Sequence, residues 1–357
     1  MDDKKTLSYK DSGVDIDVAN EVKGQIGGFV SAQGFDRCVP INRVGAFASL
    51  VKIRLSDYKN PVFVLKSEEP GSKQLLSIEN DKVEWISRDL INHLINDLIV
   101  TGAAPCAVLD TIICGKLERG VVLRLIGEMS KACAENGCIL VGGETSEQPG
   151  VLPSGSYVLQ ASALGVVDED AIIDGSRIRR GDAIVAIASN GLHTNGYSLV
   201  RKLIAADERI LKEEIDGESF MDSILRPHTS YARAVGMLLD RFRPEINGMA
   251  HITGGGIRDN FIRILHGGDL CAEIDLSLIR VPKIFGLIKK YANVGDAEML
   301  RTFNCGVGLA LSVAEASADR IIAALDEIGA HSYRIGRIVD GTHDTFIKSL
   351  DYETGGL

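Results

Sequence analysis

The sequence has no excess of positive charge, no long apolar run and few aromatic residues. Its 357 residues include 39 Lys and Arg against 49 Asp and Glu, so the formal net charge is −10. An acidic chain without a basic stripe disfavours a nucleic-acid or anionic-membrane partner. No run approaches the roughly 18 apolar residues of a membrane span, and the polar start, residues 1–11, does not match a signal peptide. We therefore expect a cytoplasmic protein that binds neither nucleic acid nor a membrane.

Cysteine pairs and several common catalytic motifs are also missing. The seven cysteines are odd in number and dispersed, and no CxxC occurs, so the spacing indicates neither a disulfide framework nor a zinc site. We interpret these cysteines as small buried apolar residues. The motifs GxxxxGK[ST], GxGxxG, HExxH and GxSxG do not occur. The chain is therefore neither a P-loop NTPase nor a standard dinucleotide-binding protein.

What is present is a succession of apolar strands and amphipathic helices. The apolar spacing predicts strands at 61–65, 107–114, 138–141 and 157–167, with helices at 84–101 and 121–135. After a polar stretch it predicts strands at 183–188, 270–274, 307–313 and 334–339, and helices at 197–206, 230–242, 257–265, 282–291 and 315–328. The length allows about two domains. We expect two α/β domains, 1–172 and 173–357, because both parts mix strands and helices.

Two glycine-rich segments in the second half precede predicted helices. Residues 189–196, Ser-Asn-Gly-Leu-His-Thr-Asn-Gly, combine mobile backbone, neutral donors and a helix N-terminus, which suits a phosphate. His193 would be a general base or a donor to that phosphate, whereas the alternative is an ordinary turn capped by Asn195. Residues 251–256, His-Ile-Thr-Gly-Gly-Gly, indicate either close contact with phosphate or ribose, or a mobile linker.

Acidic residues in the first half suggest a magnesium nucleotide. Glu144 follows a buried strand and two glycines, and the carboxyl end of a strand faces the ligand crevice in an open α/β sheet. Asp97 lies inside a predicted helix, as either a structural partner or a magnesium ligand. Residues 68–73, Glu-Glu-Pro-Gly-Ser-Lys, suit magnesium plus phosphate, although a solvated hairpin tip would have the same composition.

Six segments together resemble the phosphoribosylformylglycinamidine cyclo-ligases (AIR synthetases, the PurM family). They are residues 9–17, 96–105, 142–150, 189–201, 251–256 and 301–308. The segments occur in the family's order and with similar spacing. The resemblance implies a mixed α/β, two-domain PurM-like subunit. It also implies a homodimer in which the N-terminal strands of the two copies form a barrel.

The same resemblance implies an ATP-dependent ring closure in purine synthesis. Formylglycinamidine ribonucleotide and ATP would give aminoimidazole ribonucleotide, ADP and phosphate. An amide oxygen is a poor leaving group, so ATP would phosphorylate it before an amidine nitrogen attacks the activated carbon. ATP and Mg²⁺ are the implied cofactors.

The family's functional residues can be placed on matching positions of this chain. The resemblance implies catalytic roles for Lys73, Asp97 and His193, and magnesium ligation by Glu68, Asp97 and Glu144. It implies ATP or phosphate binding by Glu68, Ser72, Lys73, Asn96, Glu144 and Thr145. It implies substrate binding by Ser189, Asn190, His193, Asn195, Gly254, Gly255 and Gly256.

The chain departs from the family in the loop on the ATP side. The family's Asp-Gly-Val-Gly-Thr-Lys is replaced at 68–73, where Glu69 puts an anion in place of a glycine and Pro70 removes an amide donor. The alternative is therefore a non-catalytic or altered-specificity paralogue that binds a nucleotide or purine intermediate. A third hypothesis is another ATP-using relative, such as a selenophosphate synthetase or thiamine-phosphate kinase, against which the segments 9–17 and 301–308 argue.

Overall fold

The computed structural model describes residues 37–42, 45–266, 268–342 and 344–348, with a few single positions between 20 and 35. The segment 9–17, which contributes to the resemblance, lies outside the described residues. None of the described helices is long and apolar enough to cross a membrane. All seven cysteines are buried and free, as the sequence predicts.

The first half folds into a four-stranded sheet with helices on one face. Its strands are β1 (Cys38–Pro40), β2 (Val51–Ile53), β3 (Pro61–Glu68), β4 (Ala104–Cys114), β5 (Ile139–Glu147) and β6 (Tyr157–Asp168), and its helices are α1 (Lys73–Glu79), α2 (Val83–Ile99) and α3 (Arg119–Glu135). The sheet has the order β3-β6-β4-β5, in which only β4 and β5 are parallel. Strands β1 and β2 form a separate antiparallel pair.

One face of this sheet is buried and the other is open. Helix α2 presents Leu90, Leu94 and Leu98, all fully buried, to the sheet's inner side chains. Exposed and half-buried side chains alternate along strand β3, because successive side chains of a strand point to opposite faces. On the open face Leu65 is 79% exposed and Leu109 is 45% exposed, which leaves an apolar surface without a partner in the described chain.

The second half is built on a six-stranded sheet. Its strands are β7 (Ala183–Ala188), β8 (Glu214–Ile215), β9 (Glu218–Ser219), β10 (Ile246–His251), β11 (Leu270–Asp275), β12 (Val307–Val313), β13 (Ser332–Asp340) and β14 (Asp344–Lys348), and its helices are α4 (Tyr197–Ala206), α5 (Phe220–Leu225), α6 (Ala232–Phe242), α7 (Gly256–Phe261), α8 (Lys283–Ala292), α9 (Asp296–Thr302) and α10 (Ala318–Glu327). The sheet order is β10-β12-β7-β13-β11-β14, and β8 pairs only with β9. Neighbours in the large sheet are antiparallel except for β11 and β14.

The second sheet carries helices on both faces, and one of its faces continues into the first half. Val185 of β7 belongs to the same apolar cluster as helices α6 and α10, whereas Ile184 belongs to the cluster with α4, α5 and α7 to α9. The first cluster also contains Leu94 of α2 and Leu125 of α3. One core therefore joins the two sheets, and α2 packs against α6.

Most of the predicted elements are confirmed to within a few residues, including the strands at 157–167, 183–188 and 307–313 and the helices at 84–101 and 197–206. Two local predictions are wrong, because the strand that was expected to end at Val141 continues to Glu147 and helix α1 begins inside the predicted phosphate loop at Lys73. Strand β10 and helices α5 and α9 were not predicted. The predicted domain boundary at 172 falls between the last strand of the first sheet and the first strand of the second.

Candidate functional site

A stripe of polar residues runs along one face of helix α2. Its members are Asp89, Asn92, His93, Asn96 and Asp97, and all except Asp97 are buried. Residues three and four apart lie on one face of a helix, so these side chains share a surface. That surface faces the segment 226–231 of the second half.

Hydrogen bonds from this stripe hold the facing segment. Nδ2 of Asn92 donates to the carbonyl oxygen of His228 at 2.7 Å, and Nδ2 of Asn96 donates to that of Thr229 at 2.8 Å. The Asp89 carboxylate accepts a bond from the backbone N–H of His228 at 2.7 Å. Asn96, predicted to bind ATP, is thus 0% exposed and bonded to the other half of the molecule.

Lys73 is enclosed at the same interface. Its Nζ donates to Asp89 Oδ1 at 2.8 Å and to the carbonyl oxygens of His193 at 3.0 Å and Arg226 at 2.8 Å. An ammonium group has three hydrogens, and each has an acceptor here. Burial lowers the pKa of Lys73 and raises that of Asp89 to about 6, while their contact opposes both shifts. In this structure Lys73 joins the two halves, and its predicted contact with ATP stays a prediction.

A second charged group lies at the other end of the stripe and is open to solvent. Nζ of Lys66 lies 2.8 Å from Asp97 Oδ2 and 2.9 Å from Glu68 Oε2. Burial favours a lower pKa for Lys66, but the bonds to Asp97 and Glu68 outweigh it and raise that pKa. The two carboxylates therefore converge on one cation position, which the Lys66 ammonium holds.

Asp97 also begins a chain of hydrogen bonds through two histidines. Its Oδ1 lies 2.7 Å from Nδ1 of His251, and Nε2 of His251 lies 3.0 Å from Nε2 of His228. A carboxylate only accepts, so Nδ1 of His251 donates, and the two facing Nε2 atoms share one hydrogen bond whose donor depends on the tautomers. Burial alone would raise the pKa of Asp97, but His251 and Lys66 hold it far below its usual value.

His193 lies beside this chain and is almost completely enclosed. It is 1% exposed, and its ring stacks on that of His228 with 3.8 Å between centroids. Neither ring nitrogen has a hydrogen-bond partner in the described part of the chain. Burial holds the pKa of His193 well below its ordinary value, so the ring is neutral. Its backbone has a φ of 61°, which is unusual for a residue other than glycine.

Thr194 connects a fourth histidine to the group. Its Oγ1 lies 3.0 Å from Nδ1 of His93 and 3.4 Å from Nδ1 of His228. Nε2 of His93 lies 3.7 Å from Glu68. Burial lowers the pKa of His93 to about 4. Charged and neutral groups from both halves therefore form one contiguous site.

The predicted ATP-side loop and the predicted substrate-side loop are in contact. A Cβ on Gly71 would lie 3.5 Å from the carbonyl oxygen of Thr194, which is ordinary van der Waals distance. Oγ of Ser72 lies 3.5 Å from Oγ of Ser198. Residues 68–73 thus lie against residues 189–198.

Residues 189–196 are fixed largely by their own polar groups. Ser189 Oγ donates to the carbonyl oxygen of Gly191 at 3.0 Å, and Asn190 Nδ2 donates to that of Pro227 at 2.8 Å. Helix α4 is capped by Gly196 and not by Asn195, which overturns the alternative of an Asn195 cap. Asn195 lies instead beside the next glycine segment.

The three consecutive glycines, 254–256, differ in their backbone conformation and in the contacts that a side chain would make. A Cβ on Gly254 would lie 3.3 Å from Oδ1 of Asn195, so the two predicted substrate segments meet there. Gly255 and Gly256 have φ values of 91° and 64°. A Cβ on Gly256 would lie 1.8 Å from the carbonyl oxygen of Leu300, so a close protein contact accounts for that position.

Glu144 does not lie at the end of a strand, because β5 continues past it. The register aligns Glu68 with Asp110 across the sheet, and Asp110 with Gly143. Glu144 is one residue further and so faces the opposite side of the sheet from Glu68. It is exposed, and its Oε1 accepts from the backbone N–H of Thr145 at 3.0 Å. The three predicted magnesium ligands therefore do not meet within this subunit.

Several residues of this site were not predicted from the sequence. Lys66, Asp89, His93 and His228 are absent from the predicted set. The spacing of polar residues along α2 is a signal that indicates Asp89 and His93. His228 carries no comparable signal, because only the packing of 226–231 on α2 brings it to the site.

Comparison with known families defines the class of this two-domain chain. The family described as "AIR synthase related protein, N-terminal domain" matches residues 60–167, and the corresponding C-terminal domain family matches residues 179–349. The phosphoribosylformylglycinamidine cyclo-ligase of Neisseria meningitidis (serogroup C, strain 053442) is 40% identical over 334 residues, covering 93% of this chain and 95% of that protein. The protein of the same name from Paraburkholderia xenovorans is 38% identical, covering 94% and 93%. The chain belongs to the phosphoribosylformylglycinamidine cyclo-ligase family and is an enzyme of that ligase type.

Solved structures show the same fold at lower identity. Thiamine-monophosphate kinase from Stenotrophomonas maltophilia K279a has a TM-score of 0.65 and 18% identity, covering 91% of this chain and 95% of that one. The hydrogenase maturation protein HypE in complex with ATP has a TM-score of 0.60 and 19% identity, covering 83% and 84%. The expected mixed α/β, two-domain fold is confirmed, whereas the barrel across a dimer stays a prediction.

Proposed function

We propose that the enzyme uses ATP to close formylglycinamidine ribonucleotide to aminoimidazole ribonucleotide. The observation that supports this most directly is the contact between the two predicted loops, with Gly71 against Thr194. The groups around that contact are a cation between two carboxylates and three histidines, His93, His193 and His228, whose pKa values burial lowers. Such a site suits the transfer of a phosphoryl group followed by the transfer of a proton.

In the first step, the substrate's amide oxygen attacks the γ-phosphorus of ATP and ADP leaves. Lys66 is the residue we propose to neutralise the transferring phosphate, because its ammonium is partly exposed. The donor set fits magnesium, since the carboxylates of Glu68 and Asp97 converge on one cation position and Mg²⁺ prefers oxygen ligands. Glu68 and Asp97 would hold that ion in place of the Lys66 ammonium, which would then turn to the transferring phosphate, and the ion would offset phosphate charge when bound. Glu144 faces elsewhere and has no part in this proposal.

In the second step, the amidine nitrogen attacks the activated carbon, phosphate leaves with the former amide oxygen, and the nitrogen loses a proton. We propose that His193 accepts this proton, because its ring nitrogens are neutral and have no partner in the described residues. His193 is enclosed, so substrate binding must displace part of the loop 189–196. Lys73 is a positioning residue here, since its Nζ bonds the carbonyl oxygen of His193.

A cleft beside that loop offers a place for the ribonucleotide. Its volume is about 570 Å³, and Asn190, Glu218, Arg226 and Lys283 are among the residues that line it. This volume suits a small-molecule ligand. Asn190 and Arg226 connect the cleft to the site, because Nη1 of Arg226 donates to the carbonyl oxygen of Asn190 at 3.0 Å. We propose that the substrate enters from this side.

The altered loop does not favour a non-catalytic paralogue. Glu69 is exposed, and it is Glu68 that faces Lys66 and Asp97. The extra carboxylate of Glu69 therefore lies outside the charged group, and Glu68 keeps the acidic function of the family's aspartate. Pro70 is buried at the turn before α1.

We propose that the enzyme is a homodimer that pairs through the open face of its first sheet. Phe63, Leu65 and Leu109 expose 51%, 79% and 45% of their surface there. Apolar patches of this kind mark interaction sites on soluble proteins. The predicted barrel would bury them, and L65E would then shift the sedimentation coefficient towards that of a monomer.

The function is tested with the full chain, authentic formylglycinamidine ribonucleotide, ATP and Mg²⁺. We expect one aminoimidazole ribonucleotide and one phosphate for each ADP released. H193Q and D97N should each lower kcat by at least about 100-fold, whereas H331Q, at an exposed histidine, should match the unaltered enzyme. Folded enzyme that binds ATP but forms no imidazole product would contradict the proposal.

A further inference from the structure

Four of the seven histidines meet at the interface between the two halves. The rings of His193, His228 and His251 lie within 6.5 Å of one another, and His93 lies 5.3 Å from His228. They come from distant segments of the chain, so their convergence results from the tertiary fold. Ring closure as proposed above uses His193 and leaves His228 without a function.

Three of these histidines have the geometry of a ligand set. Each of His193, His228 and His251 offers one ring nitrogen, and the three nitrogens lie within 4.8 Å of one another. Tetrahedral coordination at zinc–nitrogen distances places ligand nitrogens roughly 3.3 Å apart. Nε2 of His228 and Nε2 of His251 are already 3.0 Å apart. To complete the geometry, the ring of His193 would turn out of its stacked position on His228, so that its lone pair converges with the other two.

His193 supplies an independent observation. Its exposure is 1%, and both of its ring nitrogens lack a partner among the described residues. Buried polar atoms are nearly always bonded, and an exception calls for an explanation such as a bound ion or water. The stacking of His193 on His228 places these unsatisfied nitrogens next to the other two ligand atoms.

The neighbours of the other two rings orient them as metal ligands require. Asp97 Oδ1 accepts from Nδ1 of His251 at 2.7 Å, so Nε2 carries the lone pair of that ring, and a metal ion would replace the proton now shared with Nε2 of His228. Thr194 Oγ1 lies 3.4 Å from Nδ1 of His228 and can accept its proton in the tautomer that frees Nε2. Carboxylate or hydroxyl partners of this kind accompany most histidine ligands.

We propose that His193, His228 and His251 bind one divalent transition-metal ion, zinc rather than magnesium. An all-imidazole set suits zinc, whereas magnesium prefers oxygen. Three protein ligands leave a fourth coordination position open. An ion in this site occupies the ring nitrogen that ring closure needs, so zinc inhibits the proposed reaction.

The test is direct binding, and it needs neither ATP nor the ribonucleotide. The full chain is treated with a chelator, desalted and titrated with Zn²⁺ by calorimetry, and separately with Co²⁺ while visible absorption is recorded. We expect one ion per chain with micromolar or tighter affinity, and cobalt bands typical of a tetrahedral nitrogen site. Millimolar Mg²⁺ should not displace the zinc.

Variants identify the ligands. H193Q and H228Q should each weaken zinc binding by at least about 100-fold. H331Q is an exposed control, and H93Q is a control inside the histidine group that changes no proposed ligand. If H228Q does not fold, as judged by circular dichroism, the cobalt spectrum of the unaltered chain tests the tetrahedral nitrogen site instead. The proposal is overturned by absence of stoichiometric binding, by octahedral cobalt bands, or by a loss in H93Q equal to that in H193Q. Because binding and product formation are separate measurements, either proposal can fail without the other.

Discussion

Helix α2 supplies the aspartates of two lysine–aspartate pairs that have the same contact distance and different surroundings. The Nζ–carboxylate distance is 2.8 Å both for Lys73–Asp89 and for Lys66–Asp97. In the first pair both side chains are 0% exposed, whereas in the second Lys66 is 32% and Asp97 22% exposed. The three acceptors of Lys73 Nζ are enclosed with it inside the protein. Lys66 instead pairs with Asp97 and Glu68, which are partly exposed to solvent. The same pairing can therefore anchor the fold at one end of a helix and, in the function that we propose, serve a reaction at the other.

The sequence predicts a catalytic role for the buried lysine, because Lys73 matches the lysine that ends the corresponding loop of the family. The structure shows that Lys66 is the lysine with access to solvent near Asp97. If the comparison is correct, removing Lys73 should affect mainly stability, and removing Lys66 should affect mainly turnover.

The largest effect is expected for K73M. This change leaves Asp89 as a buried charge without its partner and two carbonyl oxygens without their donor. The free energy of unfolding should fall by about 3–5 kcal/mol, measured by urea denaturation. The double variant K73M/D89L should recover part of the loss. A loss below about 1 kcal/mol would contradict the anchoring role.

The next effect is expected for K66M, and it concerns catalysis. Because the pair is open to solvent, the free energy of unfolding should change by less than about 1 kcal/mol. Turnover should fall by about 100-fold, since the variant lacks the cation proposed to neutralise the transferring phosphate. Steady-state kinetics and a melting curve on the same sample separate the two quantities. Full activity in folded K66M would exclude Lys66 from the reaction.

Asp110 is a third carboxylate for comparison. It is buried, and no lysine contributes to the shift of its pKa. Burial raises its pKa to about 7, and Glu144 adds to the rise. The folded chain then holds a proton that the unfolded chain releases above about pH 4, so the free energy of unfolding should fall as pH rises from 4 to 7 and level off beyond. D110N should remove this slope and stabilise the protein at pH 8 by about 2 kcal/mol. An unchanged slope in D110N would assign the pH dependence to other groups.

The smallest effect is expected for a third lysine–aspartate pair, Lys82–Asp222, whose partners come from the two different halves. Nζ of Lys82 lies 2.7 Å from Asp222 and 4.1 Å from the centre of the Trp85 ring. Lys82 and Asp222 are 30% and 38% exposed, so solvent screens the contact. K82M should cost at most about 1 kcal/mol of unfolding free energy. A loss as large as that in K73M would show that burial does not separate the pairs.

Much of the fold was predictable, since apolar runs and amphipathic spacing report directly on burial. Strand β7, Ala-Ile-Val-Ala-Ile-Ala, and strand β12 are buried on both faces and read as continuous apolar runs. Strand β10, Ile-Asn-Gly-Met-Ala-His, lacks such a run and is a strand only because its neighbours bury it. Helix α1 begins directly after Pro-Gly-Ser, residues that favour a turn.

The site was predictable only where its residues belong to recognisable segments. Asp97 and Glu68 were both predicted, and the structure brings them together through Lys66. The prediction that Glu144 lies at the end of a strand was wrong, because Gly142 and Gly143 continue the strand instead of ending it. A Cβ on Gly143 would lie 2.2 Å from Asp110 Oδ1, so a glycine is needed there inside the strand. Partners such as His228 depend on contacts between distant segments, which one sequence does not display.

The apolar core that passes from α2 and α3 into β7 and α6 limits how this enzyme can open. Many enzymes that bring ATP to a second reactant close by rotating one domain about a hinge. A hinge between these two sheets would expose Leu94, Leu125, Val185 and Leu238, which lie in one cluster with 0% exposure each. Domain rotation is therefore disfavoured, and reactants must gain entry by displacement of rim loops. Calorimetry should accordingly show the two halves melting together in a single cooperative transition.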